Sequence, residues 1–196
     1  MVQVIEKPDW VSWDEIHEVI WKAHLENRLQ GICMRFPTLS GDEIRKRVEG
    51  LGTMFVAVDG NKVVGTAAII RKKMNLWCGA GYYAYHCFAS VLPEYRGQGL
   101  YKELNLQIER ESINNGLSRV LFDTHEKNTR IADINLKNGF KKVFYKRYGD
   151  HFNVVFVKWL EGCPYTDIRC KLEFSKQLFR EKAKSLLSHL VLKHSI

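Results

Sequence analysis

Apolar positions along the chain switch between a spacing near two and a spacing near 3.6, which predicts strands and helices in alternation. Residues 3 to 7 (QVIEK) read as a short strand. Ser12 with Glu15, and again Ser40 with Glu43, are capping boxes that predict a helix through about Asn27 and a shorter one ending near Gly50. Between them, RLQGICMRFPTLS reads as a loop. TMFVAVDGNKVVGTAAIIRKK is two β-rich runs around Asp59, Gly60 and Asn61, the strongest hairpin signal in the sequence.

After MNLWCGAG, the run YYAYHCFASV (82 to 91) predicts a central strand, followed by a helix to about Asn115. SRVLFDTH is apolar on both faces through Val120 to Phe122, which suits a buried strand beside parallel neighbours. NTRIADINLKNGF predicts a helix capped by Asn128 and terminated by Gly139. KKVFYKRYGDHFNVVFVKWL predicts two strands around Gly149 and Asp150. The sum is an α/β (mixed α+β) domain over 1 to 160, with a mixed sheet of about 6 to 7 strands flanked by helices. Residues 161 to 196 form a C-terminal extension. Ile168, Leu172, Phe179, Ala183, Leu186 and Leu190 give it one apolar helical face, suited to docking on the sheet or to pairing as a homodimer.

Composition narrows the class. The chain has 196 residues, 45% hydrophobic and 27% charged, so it can bury one sizeable core and shows no compositional sign of disorder. No apolar run is long enough to span a membrane, and the first ten residues lack a signal-peptide pattern, so the expected compartment is the cytoplasm. The cysteines Cys33, Cys78, Cys87, Cys163 and Cys170 are scattered without a C-x-x-C pair, so neither a disulfide framework nor a metal site is expected. A net charge of +8 favours an anionic partner. The basic residues are spread along the chain, which fits a solvated surface better than a nucleic-acid groove.

The segment PEYRGQGLYKEL puts Arg96, Gly97, Gln98 and Gly99 directly before a helix beginning near Leu100 and Tyr101. Glycine costs a helix stability, but it lets the free N–H groups at a helix start approach an anion without a Cβ between them. SVLPEYRGQGLYKEL resembles the acyl-CoA-binding signature of the GNAT superfamily of N-acetyltransferases, R/Q-x-x-G-x-G/A after a strand ending in V-x-P. NTRIADINLKNGF is similar to the later helix and strand of that family, and the element order matches over roughly residues 3 to 160.

That resemblance implies a direct, acetyl-CoA-dependent transfer of an acyl group to a primary amine, through a tetrahedral intermediate and without an acyl-enzyme. It implies that backbone groups of Ala89, Ser90 and Val91 bind the pantetheine arm, and that Phe88, at the edge of the thioester slot, turns a backbone N–H to the oxyanion. The amides of Arg96, Gly97, Gln98, Gly99, Leu100 and Tyr101 would hold the pyrophosphate, with Asn128 further along. Tyr101 departs from the family pattern, which prefers Gly or Ala there. Asn135 stands where many members place the tyrosine that protonates the leaving thiolate. A thiolate of pKa about 8.5 leaves at a cost near 2 kcal/mol at neutral pH, whereas an amine of pKa about 10.4 must first lose a proton, costing about 4.6 kcal/mol. The base therefore matters more than the acid.

The strand before the signature is where relatives place the base. Tyr85 and Cys87 fall on one face of it, and His86, with the most suitable intrinsic pKa, falls on the other unless a β-bulge intervenes. Tyr85 suits positioning a water, and Cys87 would be a nucleophile only with a histidine partner. His125 reads as a surface-loop residue, and Trp77, Tyr82 and Tyr83 as core or as an acceptor pocket. The acceptor is a small-molecule or protein amine. A non-catalytic acyl-CoA sensor and a basic nucleic-acid-binding domain are the alternatives.

Overall fold

A computed structural model describes residues 1–32, 36–73, 82–148 and 151–160, with four further positions, 176, 179, 180 and 183. Four of the five cysteines, Trp77 and the Gly149–Asp150 turn lie outside the described residues, as does most of the C-terminal extension. Lys176, Phe179, Arg180 and Ala183 are helical.

The elements run in the order β1 (Gln3–Glu6), α1 (Trp13–Ala23), α2 (Leu25–Leu29), α3 (Gly41–Val48), β2 (Gly52–Asp59), β3 (Lys62–Lys73) and β4 (Tyr82–Val91). They continue as α4 (Leu100–Asn114), β5 (Arg119–His125), α5 (Thr129–Lys137), β6 (Lys141–Tyr148) and β7 (His151–Trp159). One seven-stranded sheet takes the order β1-β2-β3-β4-β5-β7-β6. β1 to β4 are antiparallel, and the α4 crossover then makes β5 parallel to β4. β5 therefore has one parallel neighbour, not two, because β7 folds back beside it antiparallel.

Both expected capping boxes form. The Glu15 amide donates to Ser12 Oγ at 3.1 Å and the Ser12 amide to Glu15 Oε2 at 2.9 Å, and Ser40 and Glu43 repeat the arrangement. The first helix does not reach Asn27 in one piece. It breaks at His24, whose side chain turns inward, and a short α2 resumes beyond. The core lies where α1, α3 and α4 cover β2 and β3, with Val63 to Ile70 buried without interruption. Burial on both faces explains why β3 is apolar at successive positions. None of the described helices is long and apolar enough to cross a membrane.

Candidate active site

The site is set by where β4 and β5 stop pairing. Their register contains Ala84 with Val120 and Tyr85 with Leu121, and no pair beyond. Just past that point β4 carries a bulge. Phe88 and Ala89 stand opposite the single residue Ala67, and Phe88 has φ of 56°, unusual for a non-glycine residue. Thr66 Oγ1 donates to the Phe88 carbonyl at 2.7 Å and holds the distortion. Strand backbone turns alternate N–H and C=O groups toward each neighbour, so a strand without a partner presents unmatched polar groups to the gap.

The gap opens into a cavity of about 350 Å³ at the C-terminal ends of the two strands. Of the expected donor-binding residues, Ala89, Ser90, Val91, Arg96, Gly97, Gly99, Leu100, Tyr101 and Asn128 line it, and Phe88 and Gln98 do not. The N-termini of α4 and α5 both end at this cavity, and neither has a capping side chain. Asn128 occupies the N-cap position of α5, but its amide group donates to Thr124 Oγ1 instead, correcting its expected role as a side-chain cap. α1 and α3, which do not begin there, have complete caps.

None of the amides from Gly97 to Lys102 donates a hydrogen bond among the described residues. Gly97 and Gly99 take φ of 80° and 81°, and a Cβ on either would meet no protein atom within 4 Å. Those glycines are therefore required by backbone conformation and by what lies in front of them, not by packing. The run of free amides at a positive dipole end suits a pyrophosphate. Lys127 and Arg130 line the same cavity and add cationic charge.

Arg96 is turned elsewhere. Its guanidinium donates to the Ala23 carbonyl at 2.7 Å and the Val91 carbonyl at 3.3 Å and pairs with Glu26 at 3.2 Å, fastening the end of α1 to the end of β4. His24 joins the same wall. It is 8% exposed, with Nε2 3.3 Å from the Ala89 carbonyl and 3.2 Å from Ser90 Oγ, and Nδ1 3.0 Å from the Asn27 amide group. Burial lowers its pKa to about 4, so the imidazole is neutral near pH 7. Sequence reasoning missed His24, since only tertiary packing reveals that the helix breaks there.

The two faces of β4 carry different chemistry. The bulge follows His86, so alternation is intact through Cys87 and His86 remains on the face opposite Tyr85. The His86 ring is buried near Tyr101 and Phe122, and neither nitrogen has a hydrogen-bond partner among the described residues. Burial lowers its pKa to about 4. On the same face, Asn135 Nδ2 donates to Tyr101 Oη at 2.8 Å. That bond leaves the Tyr101 O–H free to donate, and burial raises the phenol pKa, keeping it protonated.

On the other face, Tyr85 donates to Asp123 Oδ1 at 2.5 Å, and Asn153 donates to Asp123 Oδ2 at 2.5 Å. Burial, reinforced by the Asp123 carboxylate, raises the Tyr85 pKa well above its ordinary range. Tyr85 is thus a proton donor that orients a carboxylate. Burial pushes the Cys87 thiol up to about 12, which removes the thiolate a covalent route needs. Asp123 is the only acid on β4 or β5 and was missed in the sequence. The available signal was a charged residue inside the apolar strand VLFDTH, costly unless partnered.

His125 is buried, not on a surface loop. Its Nδ1 accepts from the Lys127 amide, and its ring stacks on His151 at 4.6 Å. Tyr83 packs against Leu121, Val155 and Val157, while Tyr82 lies exposed beneath Arg71.

The family model for the Acetyltransferase (GNAT) family matches residues 13–140, and this chain belongs to that family. Solved structures share the fold at low identity. A GNAT-family acetyltransferase from Staphylococcus aureus Mu50 superposes with a TM-score of 0.66 at 17% identity, covering 82% of this chain and 100% of that one. The ribosomal-protein-S18-alanine N-acetyltransferase of Escherichia coli gives 0.63 at 13% identity, covering 85% and 99%. The yncA protein of Salmonella typhimurium, solved with its cofactor acetyl-CoA, gives 0.64 at 16%, covering 86% and 99%. No curated protein sequence is detectably similar.

Proposed function

We propose that the protein is an N-acetyltransferase that moves the acetyl group of acetyl-CoA directly to a primary amine. The observation that carries this reading is the pair of uncapped helix N-termini, with the free amides from Gly97 to Lys102, at a cavity lined by Ala89 to Val91 of β4, beyond the point where β4 and β5 stop pairing. Those residues fit acetyl-CoA. The α4 amides would take its pyrophosphate, Lys127 and Arg130 would balance its remaining negative charge, and the bulged edge of β4 would hold the pantetheine arm. When bound, acetyl-CoA supplies the activated acyl group.

The chain's own groups then divide the work by face. Asp123, held by Tyr85 and Asn153, accepts hydrogen bonds from the incoming ammonium and orients it as its proton passes to water. Tyr101, oriented by Asn135, supplies the proton that the departing sulfur needs, in place of the tyrosine that Asn135 replaces. Cys87 has no covalent role. The residues given roles here all lie within 1 to 160.

A thermal-shift titration with acetyl-CoA and longer acyl-CoAs, followed by thiol release with a panel of amines, tests the proposal. Stabilisation with turnover is expected. Stabilisation without turnover would indicate a sensor, and no stabilisation by any acyl-CoA overturns the reading.

A further inference from the structure

Among the described residues Asp123 is the one acid on β4 or β5, and the charge around it is predominantly positive. The Lys72 ammonium sits 3.4 Å from the centroid of the Tyr85 ring, the phenol of which is bonded to Asp123. Lys146 lies over Tyr148 at 4.9 Å and interacts electrostatically with Asp123 and Lys72. Arg47, on α3, acts electrostatically on Lys72 and Cys87.

None of these cations forms an ion pair among the described residues. The contrast with the neighbouring turn of α3 is direct. Arg45 and Lys46 are both held by Asp42, whereas Arg47, one residue further, is not. Lys72 and Arg47 are also partly buried, where their mutual repulsion is costly, and the carboxylate that acts on Lys72, Asp123, already accepts from Tyr85 and Asn153. A face that keeps such charges beside its reactive carboxylate is arranged for a counter-charge that arrives with a ligand.

We infer that the amine acceptor carries an anionic group, so that its ammonium meets Asp123 while its carboxylate or phosphate is held by Lys72 and Lys146. This rests on the acetyltransferase reading and specifies its second substrate class. The simplest members are amino acids, which bear a carboxylate, and aminoalkyl phosphates.

The test compares kcat/KM within matched pairs: β-alanine against β-alaninamide, and O-phosphoethanolamine against ethanolamine, with acetyl-CoA saturating. At least a tenfold preference for the anionic member of one pair is expected, and the pair that shows it identifies the anion. In Lys72→Gln/Lys146→Gln the preference should fall below threefold while the acetyl-CoA-induced thermal shift is retained. Should the double variant not fold, Lys146→Gln alone, at an exposed position, should reduce the preference at least threefold. Equal rates within both pairs, a preference unchanged in the variants, or acetyl-CoA binding without turnover of any member each overturn the inference. Absence of acetyl-CoA binding instead overturns the reading beneath it.

Discussion

Replacing Gly99 by alanine separates what this glycine does for the fold from what it does for a ligand. Gly99 has φ of 81°, and a Cβ there meets no protein atom within 4 Å. The cost to the folded protein is therefore backbone strain alone, about 1 to 2 kcal/mol for an L-residue in the left-handed region. In a chain of this size that lowers Tm by about 2 to 8 °C. Gly60, in the β2–β3 turn, is an internal control, with φ of 58° and open space around its Cβ. Its alanine variant should lose comparable stability and leave ligand binding intact.

Gly99 lines the cavity that the free amides serve, so there the added methyl takes space from a ligand. Losing two charge-assisted hydrogen bonds of about 1.5 kcal/mol each weakens binding by about 3 kcal/mol, near 150-fold. With acetyl-CoA at about 100 times its wild-type Kd, ligand stabilisation is about 2.7 kcal/mol for wild type and about 0.3 kcal/mol for Gly99→Ala. Differential scanning fluorimetry with and without acetyl-CoA reads both quantities. A Gly99→Ala protein that keeps the full ligand shift, or a Gly60→Ala protein that loses it, refutes the assignment of the α4 amides to the pyrophosphate.

Tyr101→Phe should lower kcat by up to about 30-fold, the equivalent of the roughly 2 kcal/mol thiolate cost, with the deficit shrinking as pH rises toward 8.5; a flat pH dependence of the deficit contradicts the proton-donor role. His24 and His86 have folded pKa values near 4, below the unfolded 6.5, so the unfolded chain protonates first as pH falls. Stability is unaffected by them above pH 6.5, declines between 6.5 and 4 by about 3 kcal/mol per histidine, and levels off below. Urea unfolding at pH 7.5 and 4.5 should show His86→Leu losing less stability than wild type, and equal losses would disprove this account. Arg96→Met should lower Tm, because it releases α1 from β4, yet change the acetyl-CoA Kd less than tenfold; a larger change places the guanidinium on the ligand.

The features legible in the sequence were those that short stretches determine. Ser12 and Ser40 cap their helices through bonds to residues three positions on, and Asp59-Gly60-Asn61 turns a hairpin between strands adjacent in sequence. The amide cradle was visible for the same reason, since Gly97 and Gly99 signal a backbone need directly. What escaped depended on register between distant segments. The bulge at Phe88 exists only relative to Thr66 and Ala68, and its position after His86 decides which face that ring occupies. Asp123 gains its meaning from Tyr85 and Asn153, which lie 38 and 30 positions away. The break at His24 has no glycine or proline to announce it; the ring is drawn inward by Ala89 and Ser90.

The abrupt end of β4–β5 pairing after Tyr85 and Leu121 has a kinetic consequence. The sheet parts there with Tyr101 and Asn135 on one face and Asp123 on the other. On the proposed reading, donor and acceptor approach from opposite faces, so neither would have to leave before the other enters. Spent coenzyme A should accordingly compete with acetyl-CoA and not with the amine, and the two substrates should bind in a ternary complex.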